Sequence, residues 1–281
     1  MNEHKSISEH IQAYANHLRL EEKSAATVEK YLRDIRSFIC WLDGREITKE
    51  QTAAWKAHLT EQGYAPASVN AMLSALNSLL DFLELGTCRV KFLKLQRRMF
   101  RDDSRDLTRS DYNALTAAAK ARGKVRLALL MEALCATGIR VSEVRYITVE
   151  AAKAGRAEIA LKGKIRTILL PNKLCRKLLK YAKQQKTASG EIFLTRNGTP
   201  LSRRQIWAEM KGVCKYVGVE PSKVFPHNLR HLFATAFYRA SRDIVKLADV
   251  LGHSSIETTR IYLLTSGAEH QRQLDRLGLV S

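Results

Sequence analysis

Hydrophobic residues recur every three or four positions in four segments of the first 86 residues, which is the spacing of one buried helix face. The clearest repeat, in the second segment, comprises Val28, Tyr31, Leu32, Ile35, Phe38, Ile39 and Leu42. The four predicted helices run approximately over residues 7–20, 25–42, 49–62 and 67–85. Gly86 is predicted to end the fourth helix. We therefore expect residues 1–86 to form a compact, all-helical domain.

The pattern then changes and predicts a linker followed by a second domain. Residues 87–106 are rich in arginine and lysine and poor in acids, which is typical of a basic interdomain linker or of a solvated charge run. Thr108 is followed three residues later by Asp111, the spacing of a helix cap. The second domain is accordingly predicted over residues 107–281, with a C-terminal tail at 265–281.

The second domain is predicted to mix helices with one hairpin. The segment EIALKGKIRTILLP has two β-prone runs on either side of Lys162, Gly163 and Lys164, which predicts a β-hairpin with a lysine-rich tip. Residues 125–136 are apolar nearly all round, which indicates a buried central helix. Further helices are predicted near residues 173–186, 202–217, 226–239, 243–251 and 255–264. The expected fold class is mainly α with a small β-sheet, an N-terminal helical domain plus a mixed α/β domain.

Charge and composition indicate the class of partner. Lysine and arginine total 47 against 28 acids, and the net charge of +19 favours a polyanion such as nucleic acid. The N-terminus is polar and the most apolar stretch, 127–136, is short and contains Glu132, so we expect neither a signal peptide nor a membrane span, and no membrane partner. The five cysteines form no C-x-x-C pair, which predicts reduced thiols in a cytosolic protein without a zinc site.

The segment MEALCATGIRVSEV places an arginine at the end of the predicted central helix. Gly138 is expected to end that helix in the left-handed conformation, and Arg140 follows two residues later. An arginine in such a position is costly to desolvate unless an anion meets it. The anion is either the carboxylate of Glu143, in a structural ion pair, or a phosphate held by two parallel hydrogen bonds.

Polar groups on the predicted hairpin and on FPHNLRHLFATAF are further candidates. In the latter segment the predicted core stripe is Leu229, Leu232, Phe233 and Ala236. His227 and Arg230 lie one turn apart and off this stripe, so they can present side by side, and a surface cluster with His231 is the alternative. On the hairpin, Lys164 and Arg166 are expected to be solvated. A tip lysine can also lean over a neighbouring site as a proton donor, because nearby cations ease its deprotonation.

The stretch LGHSSIETTRIYL contains a tyrosine that is either a half-buried aromatic or a nucleophile. Gly252 is expected to end a helix, which puts His253 in the turn that follows. Ser254 and Glu257 have the spacing of a capping box for the next helix. Tyr262 is predicted at the edge of a buried stripe, with its ring packed and its hydroxyl facing a cleft. The stripe comprises Ile256, Thr259 and Leu263.

Taken in order, these segments resemble the tyrosine recombinases, or phage integrase family, of the simple two-domain Xer-like or transposon integrase type. ATGIRVSEV is similar to the family's first arginine motif, HNLRHLFAT to its His-x-x-Arg motif and LGHSSIETTRIY to its His-to-Tyr motif. The resemblance covers the whole chain, since the first domain is similar to the family's core-site-binding domain. The hairpin departs from the family pattern, because relatives often carry one more residue between the lysines. Lys162 is therefore the expected catalytic lysine and Lys164 the alternative. The residues after Tyr262, LLTSG, also lack the threonine and histidine often found there.

The resemblance implies that Tyr262 attacks a DNA phosphodiester, becomes joined to the 3′ phosphate and releases a 5′ hydroxyl. A free phenol has a pKa of about 10, so neighbouring cations must stabilise the phenolate and a base must accept its proton. Arg140 and Arg230 are expected to hold the non-bridging oxygens and offset the charge of the transition state. Glu143 is expected to orient Arg140.

The resemblance also assigns the remaining side chains. His253 is expected to donate a hydrogen bond to the phosphate, and His227 to act as acid or base. Lys162 is expected to protonate the leaving 5′ oxygen. With arginines neutralising the charge, neither a metal ion nor any cofactor is expected, and ATP is not needed because the phosphotyrosine bond stores the energy of the broken one.

The expected partner is double-stranded DNA with paired inverted core sites, bound by a homotetramer or heterotetramer on two DNA sites. Arg97, Arg98, Arg101 and Lys164 are the expected DNA contacts outside the reaction centre. In the tail, leucines are expected to dock on a neighbouring protomer or to fold back on their own domain; they are Leu274, Leu277 and Leu279. The expected location is cytoplasmic and nucleoid-associated in a bacterium, with integration, resolution and inversion all left open.

Two alternatives keep the fold and change the function. A type IB topoisomerase shares the tyrosine chemistry and relaxes supercoils. A catalytically silent DNA-binding regulator would retain the architecture without the reaction. The small helical first domain and the His-x-x-Arg form of the motif favour a recombinase over the first, and the presence of every chemical group favours it over the second.

Overall fold

The computed structural model describes residues 3–95, 106–161, 164–262, 271–272 and 274–278. The chain forms two compact units, Met1–Arg97 and Arg98–Ser281. The domain boundaries predicted at residues 86 and 107 remain predictions. Along the described residues, no helix combines the length and the apolar character that a membrane crossing requires.

Within its described residues, the first unit contains four helices and a short 3-10 turn. The helices are α1 Glu3–Leu20, α2 Ala25–Leu42, α3 Lys49–Glu61 and α4 Pro66–Phe82. Ser24 and Thr48 begin α2 and α3 by accepting hydrogen bonds from backbone N–H groups three residues on. The prediction that Gly86 ends α4 is wrong. The helix ends at Phe82, the backbone turns left-handed at Glu84 (φ 59°), and Gly86 instead opens the 3-10 turn.

The core of the first unit is formed by the apolar faces of these helices. Its central residues are Phe38, Trp55, Leu73, Leu76 and Leu80. Two residues of the predicted linker, Cys88 and Val90, are also buried there. Asn77 holds this part of the chain by donating to the Val90 carbonyl and accepting from the Val90 N–H, each at 3.0 Å. The chain therefore continues to pack on the first unit beyond the 3-10 turn.

The second unit is built around one helix. Its helices are α5 Arg109–Ala121, α6 Val125–Thr137, α7 Val149–Ala154, α8 Asn172–Gln184, α9 Arg203–Cys214, α10 Pro226–Ser241, α11 Ile244–Leu251 and α12 Ile256–Arg260. As predicted, α6 is buried on nearly every side, and it packs against α5, α8, α9 and α10. The predicted cap of α5 is confirmed, since Thr108 and Asp111 form a complete capping box.

The predicted hairpin is confirmed as an antiparallel pair, β1 Arg156–Leu161 and β2 Lys164–Leu169. The register runs from Arg156 opposite Leu169 to Leu161 opposite Lys164. Side chains alternate along β2, so Ile168 is buried while Ile165 and Leu169 are exposed. The sheet is attached to α6 indirectly, through contacts of β1 with α7 and with the 3-10 helix Val141–Tyr146.

Three predictions for the last helices are wrong. Ser255, rather than Ser254, caps α12, because its side chain accepts from the Glu257 N–H. Ile256 of the predicted buried stripe is exposed, since α12 ends at Arg260 and presents Thr259 to the interior. On α10 the predicted stripe also shifts, with Ala234 buried and Ala236 exposed.

Candidate active site

A cavity of about 770 Å³ lies in the second unit, where the end of α6, the start of α10 and the segments around α12 meet. It is lined by side chains that include Arg140, His227, Arg230, His253 and Tyr262. The fold thus brings to one place five groups that are up to 122 residues apart in the sequence. Two arginines beside a phenol form a setting that suits a phosphate ester.

Arg230 is the most buried of these groups. It was predicted to lie off the core face of its helix, which is wrong, since only 3% of it is exposed. Its guanidinium donates to the Gly138 carbonyl, to the Leu251 carbonyl at 2.8 Å and to His253 Nε2 at 2.9 Å. Burial, reinforced by the nearby Arg140, lowers its pKa. Two backbone carbonyls, one after α6 and one at the end of α11, therefore hold the Arg230 guanidinium in place before any ligand binds.

Gly138 allows α6 and α10 to approach each other at this point. Its backbone is left-handed (φ 62°), as predicted, and a side chain on it would strike the ring of Phe233. The turn that it forms sends the chain into the cavity at Arg140. One of the two carbonyls that Arg230 binds belongs to the same glycine.

Arg140 forms the ion pair that was one of its two predicted alternatives. Its Nη1 lies 3.0 Å from Glu143 Oε1, and its backbone N–H donates to Glu143 Oε2 at 2.9 Å. Glu143 is buried, with 4% of its side chain exposed, whereas 40% of the Arg140 side chain is exposed. Arg140 also lines the cavity. The carboxylate therefore orients the guanidinium and leaves part of it facing the cavity.

Arg166 was expected to be solvated, and this prediction is wrong. Only 13% of its side chain is exposed, because β2 directs it inward, where Nη2 lies 2.8 Å from Glu143 Oε2 and Nη1 donates to the Leu251 carbonyl. Burial lowers its pKa to about 10, although the charge of Glu143 opposes this shift. The strand alternation that buries Ile168 places Arg166 on the same face, so the signal was present in the sequence.

His253 lies between an arginine and a threonine. Its Nε2 is 2.9 Å from Arg230 Nη2 and its Nδ1 is 2.8 Å from Oγ1 of the fully buried Thr259. A guanidinium can only donate, so Nε2 accepts and the ring proton resides on Nδ1. Burial, followed by the charges of Arg230, Arg140 and other neighbours, lowers the pKa of His253 from 6.5 to about 4. The ring is therefore neutral at pH 7.

Tyr262 is more buried than predicted, with 5% exposed. It follows α12 in a turn, and its ring packs with Leu247 and Leu251 as part of a small apolar cluster. The ring is stacked on His253, with centroids 5.9 Å apart and planes at 11°, and lies 5.1 Å from the His231 ring. Tyr262 nevertheless lines the cavity and interacts with the Arg230 guanidinium. The packing that was one of its two predicted alternatives is therefore observed, and the nucleophilic role remains a prediction.

Other cavity residues were missed from the sequence. They lie at the start of α9 and before α10 and are Arg203, Arg204, Trp207 and Phe225. Two arginines beside an exposed tryptophan at a helix start are a recognisable signal of a polyanion-facing surface.

Several predicted residues fall outside the described part of the chain. They are Lys162, Arg97, Arg98, Arg101, Leu263 of the predicted stripe beside Tyr262, and Leu279. Lys164 is described only as the first residue of β2. In the described part of the tail, Leu274 and Leu277 are exposed.

Comparison with known proteins places the chain in a family. A family model described as "Phage integrase family" matches residues 105–268, and one described as "Phage integrase, N-terminal SAM-like domain" matches residues 11–85. Tyrosine recombinase XerA of Pyrococcus furiosus is 27% identical, over 100% of this chain and 98% of that protein. Tyrosine recombinase XerD of Halalkalibacterium halodurans is 28% identical, over 92% and 93%.

Solved structures share the fold. A XerA recombinase aligns with a TM-score of 0.54 and 21% identity, over 98% of this chain and 99% of that one. A lambda integrase tetramer bound to a Holliday junction aligns with a TM-score of 0.72 and 19% identity, over 91% and 76%. The names of the relatives favour a recombinase over the topoisomerase and the silent regulator. Both the predicted fold class and the predicted family are confirmed, and the chain belongs to the phage integrase family of tyrosine recombinases.

Proposed function

We propose that this protein is a site-specific recombinase that cuts and rejoins DNA through a 3′-phosphotyrosine bond to Tyr262. The observation that carries the proposal is the cavity in which Tyr262 lies against His253 and Arg230. A phenol that served packing alone would not need a buried guanidinium beside it, since burying that cation is costly.

The two cavity arginines bind the scissile phosphate. Arg230 has five N–H donors, so it can keep its backbone bonds and still donate to a non-bridging oxygen. Arg140, oriented by Glu143, supplies the second cation. Because both are fixed before DNA arrives, they offset the growing charge of the transition state with little reorganisation.

The reaction moves two protons and exchanges one bond at phosphorus. The Tyr262 oxygen loses its proton to His227 and forms a bond to phosphorus, while the bond to the 5′ oxygen breaks. Lys162, or Lys164 as the alternative, gives a proton to the leaving 5′ oxygen. When the phosphate displaces His253 Nε2 from Arg230, the imidazole can take up a proton and donate it in a hydrogen bond to the phosphate.

The proposed partner is double-stranded DNA with paired inverted core sites, with four protomers on two DNA sites. The lambda integrase tetramer on a Holliday junction supports this assembly through its shared fold. The net charge of +19 supports a polyanionic partner, with Arg97, Arg98, Arg101 and Lys164 as DNA contacts. In a bacterium such a protein would act at the nucleoid.

A covalent-capture selection from random DNA tests the chemistry and identifies the recombination site together. The protein is incubated with nicked duplexes whose arms are randomised, denatured in sodium dodecyl sulfate, and the DNA still attached is amplified and sequenced. The wild type should retain DNA that converges, over rounds, on an inverted repeat. Because of the nick, the DNA segment that carries the released 5′ hydroxyl can diffuse away. Religation is then prevented and the covalent intermediate accumulates.

Two single-oxygen variants serve as the comparison. Tyr262→Phe removes only the hydroxyl and should retain no DNA. Tyr216→Phe makes the same change at an exposed tyrosine of the same unit and should behave as the wild type. A Tyr262→Phe protein that still forms adducts, or a wild type that forms none in any round, would show the proposal to be wrong.

A further inference from the structure

Arg166 is a largely buried arginine near the cavity that has no part in the reaction described above. Among the described residues that line the cavity, Arg140 and Arg230 are present and Arg166 is absent. Its guanidinium instead contacts a partner of each of them. It binds the carboxylate of Glu143, which holds Arg140, and the carbonyl of Leu251, which also accepts from Arg230.

The two contacts are made by different nitrogens of one rigid group. Nη2 binds Glu143 Oε2 at 2.8 Å and Nη1 binds the Leu251 carbonyl. A planar guanidinium fixes the separation of the groups that its two nitrogens bind, whereas an ammonium does not. A side chain of β2 therefore bridges Glu143 and the end of α11.

The electrostatics indicate that Arg166 is more than a packing residue. Arg140 and Glu143 would be neutral as a pair, and Arg166 adds a further cation to the buried carboxylate. Burial and the charges of Arg230 and Arg140 all disfavour the positive charge of Arg166 and lower its pKa. Such an arrangement is costly in the absence of an anion and is relieved when a phosphate enters the cavity.

Gly252 leaves room for this side chain. The Arg166 stem crosses directly over it, and a side chain at residue 252 would occupy the space of the Arg166 Cδ and guanidinium nitrogens. The same glycine ends α11 in the left-handed conformation and precedes His253. The contact of Arg166 with Gly252 therefore packs the hairpin against the turn that carries His253.

We propose that Arg166 is a positioning residue that sets the spacing of the two phosphate-binding arginines by bridging Glu143 and the Leu251 carbonyl. Because Arg166 lies on β2, it also couples the position of the hairpin strand to the geometry of the cavity. This inference rests on the proposed function.

The first experiment compares cleavage of two linkages by Arg166→Met. Methionine retains much of the length of the arginine side chain and fills the same space, but it lacks the positive charge and the planar guanidinium with its several donors. The substrates are the captured duplex and the same duplex with a methylphosphonate at the scissile position, which lacks the negative charge that the two arginines offset. Arg156→Met, the same change at an exposed arginine of β1, is the matched control. Circular dichroism melting checks that each variant is folded.

A positioning role predicts unequal losses. Single-turnover cleavage of the phosphodiester by Arg166→Met should fall by about 10²-fold, the scale of losing one preorganised donor. Cleavage of the methylphosphonate should fall by less than about fivefold relative to wild type, because the uncharged linkage depends less on the spacing of the arginines. Arg156→Met should match wild type on both. Equal losses on the two substrates, or no loss on either, would overturn the proposal.

A second measurement does not depend on activity. Nitrogen-15 exchange spectroscopy reports how fast a guanidinium rotates about its Cζ–Nε bond. In Arg166→Met, the Glu143 carboxylate loses the contact from Arg166 Nη2 that holds it in place. Arg140 then pairs with a less fixed carboxylate, so its rotation should accelerate by at least about threefold. Arg45, held by the carbonyls of Leu42 and Trp41 in the first unit, should not change and serves as the internal reference.

The two measurements separate the inference from the proposed function. If wild type forms no covalent adduct with any DNA, the proposed function fails, and the rotation of Arg140 still decides whether Arg166 orders the site. An unchanged rotation rate would refute the positioning role even in an active recombinase.

Discussion

His253 should make the protein less stable as the pH falls from about 6.5 to about 4. Its pKa is lowered from 6.5 to about 4 by burial and by the charges of Arg230, Arg140, Arg166 and His227. The unfolded chain therefore binds the proton first on acidification, and stability is lost through this window. Below pH 4 both states carry the proton and the loss is complete.

The magnitude follows from the size of the shift. Each pKa unit corresponds to about 1.4 kcal/mol, so the full difference would contribute about 3 kcal/mol. The ring is partly open to solvent, and screening reduces this to about 1–2 kcal/mol. Many carboxylates titrate in the same range, so the effect of one histidine must be measured as a difference.

Urea unfolding of wild type and His253→Gln between pH 7 and pH 4.5 isolates that difference. Glutamine can accept the bond from Arg230 and does not titrate. The free energy of unfolding of wild type should fall by about 1–2 kcal/mol more than that of the variant. In parallel, the His253 ring proton resonance should titrate with a midpoint below pH 5. Equal pH dependence in the two proteins, or a midpoint near 6.5, would refute the assignment of a neutral, arginine-bound imidazole.

Two further changes test the packing that supports the site and the first unit. Gly138→Ala should lower the free energy of unfolding by about 2 kcal/mol or more, because the methyl group would meet Phe233 at a left-handed position. Gly190→Ala, at a left-handed glycine with open space around it, should cost less in the same denaturation assay, and equal costs would contradict the steric argument. Asn77→Ala should remove about 2 kcal/mol by leaving the buried Val90 N–H and carbonyl without their partner. Trypsin should then cut first within residues 88–95, and a cleavage pattern like that of wild type would count against this role.

The hairpin and several helix ends were predictable because they depend on residues close together in the sequence. The left-handed cap at Gly138, the capping box at Thr108 and the antiparallel pairing of EIAL with the following strand are examples. The order of the motifs predicted the family, and the hydrophobic pattern with the hairpin segment predicted the fold class; both predictions are confirmed. The roles of the individual site residues remain predictions.

The errors arose where tertiary contacts decide between locally equivalent choices. Ser254 and Ser255 are equally good caps by type, and the path of the chain out of Gly252 selects the second. Arg230 lies on the buried side of α10 because carbonyls and His253 from other elements compensate its charge, which no local pattern shows. For Arg166, the alternation along β2 indicated an inward direction, but its partners lie 23 and 85 residues away and could not be identified from the local sequence.

The central claim is that Tyr262 is the nucleophile, and mass spectrometry of the covalent adduct tests it most directly. Trypsin should release Tyr262 in the peptide of residues 261–272, which contains no other tyrosine. After nuclease treatment of the captured complex, this peptide should carry a 3′-linked nucleotide whose mass maps to Tyr262 on fragmentation. A nucleotide on any other residue, or an unmodified peptide in a complex that still holds DNA covalently, would contradict the account.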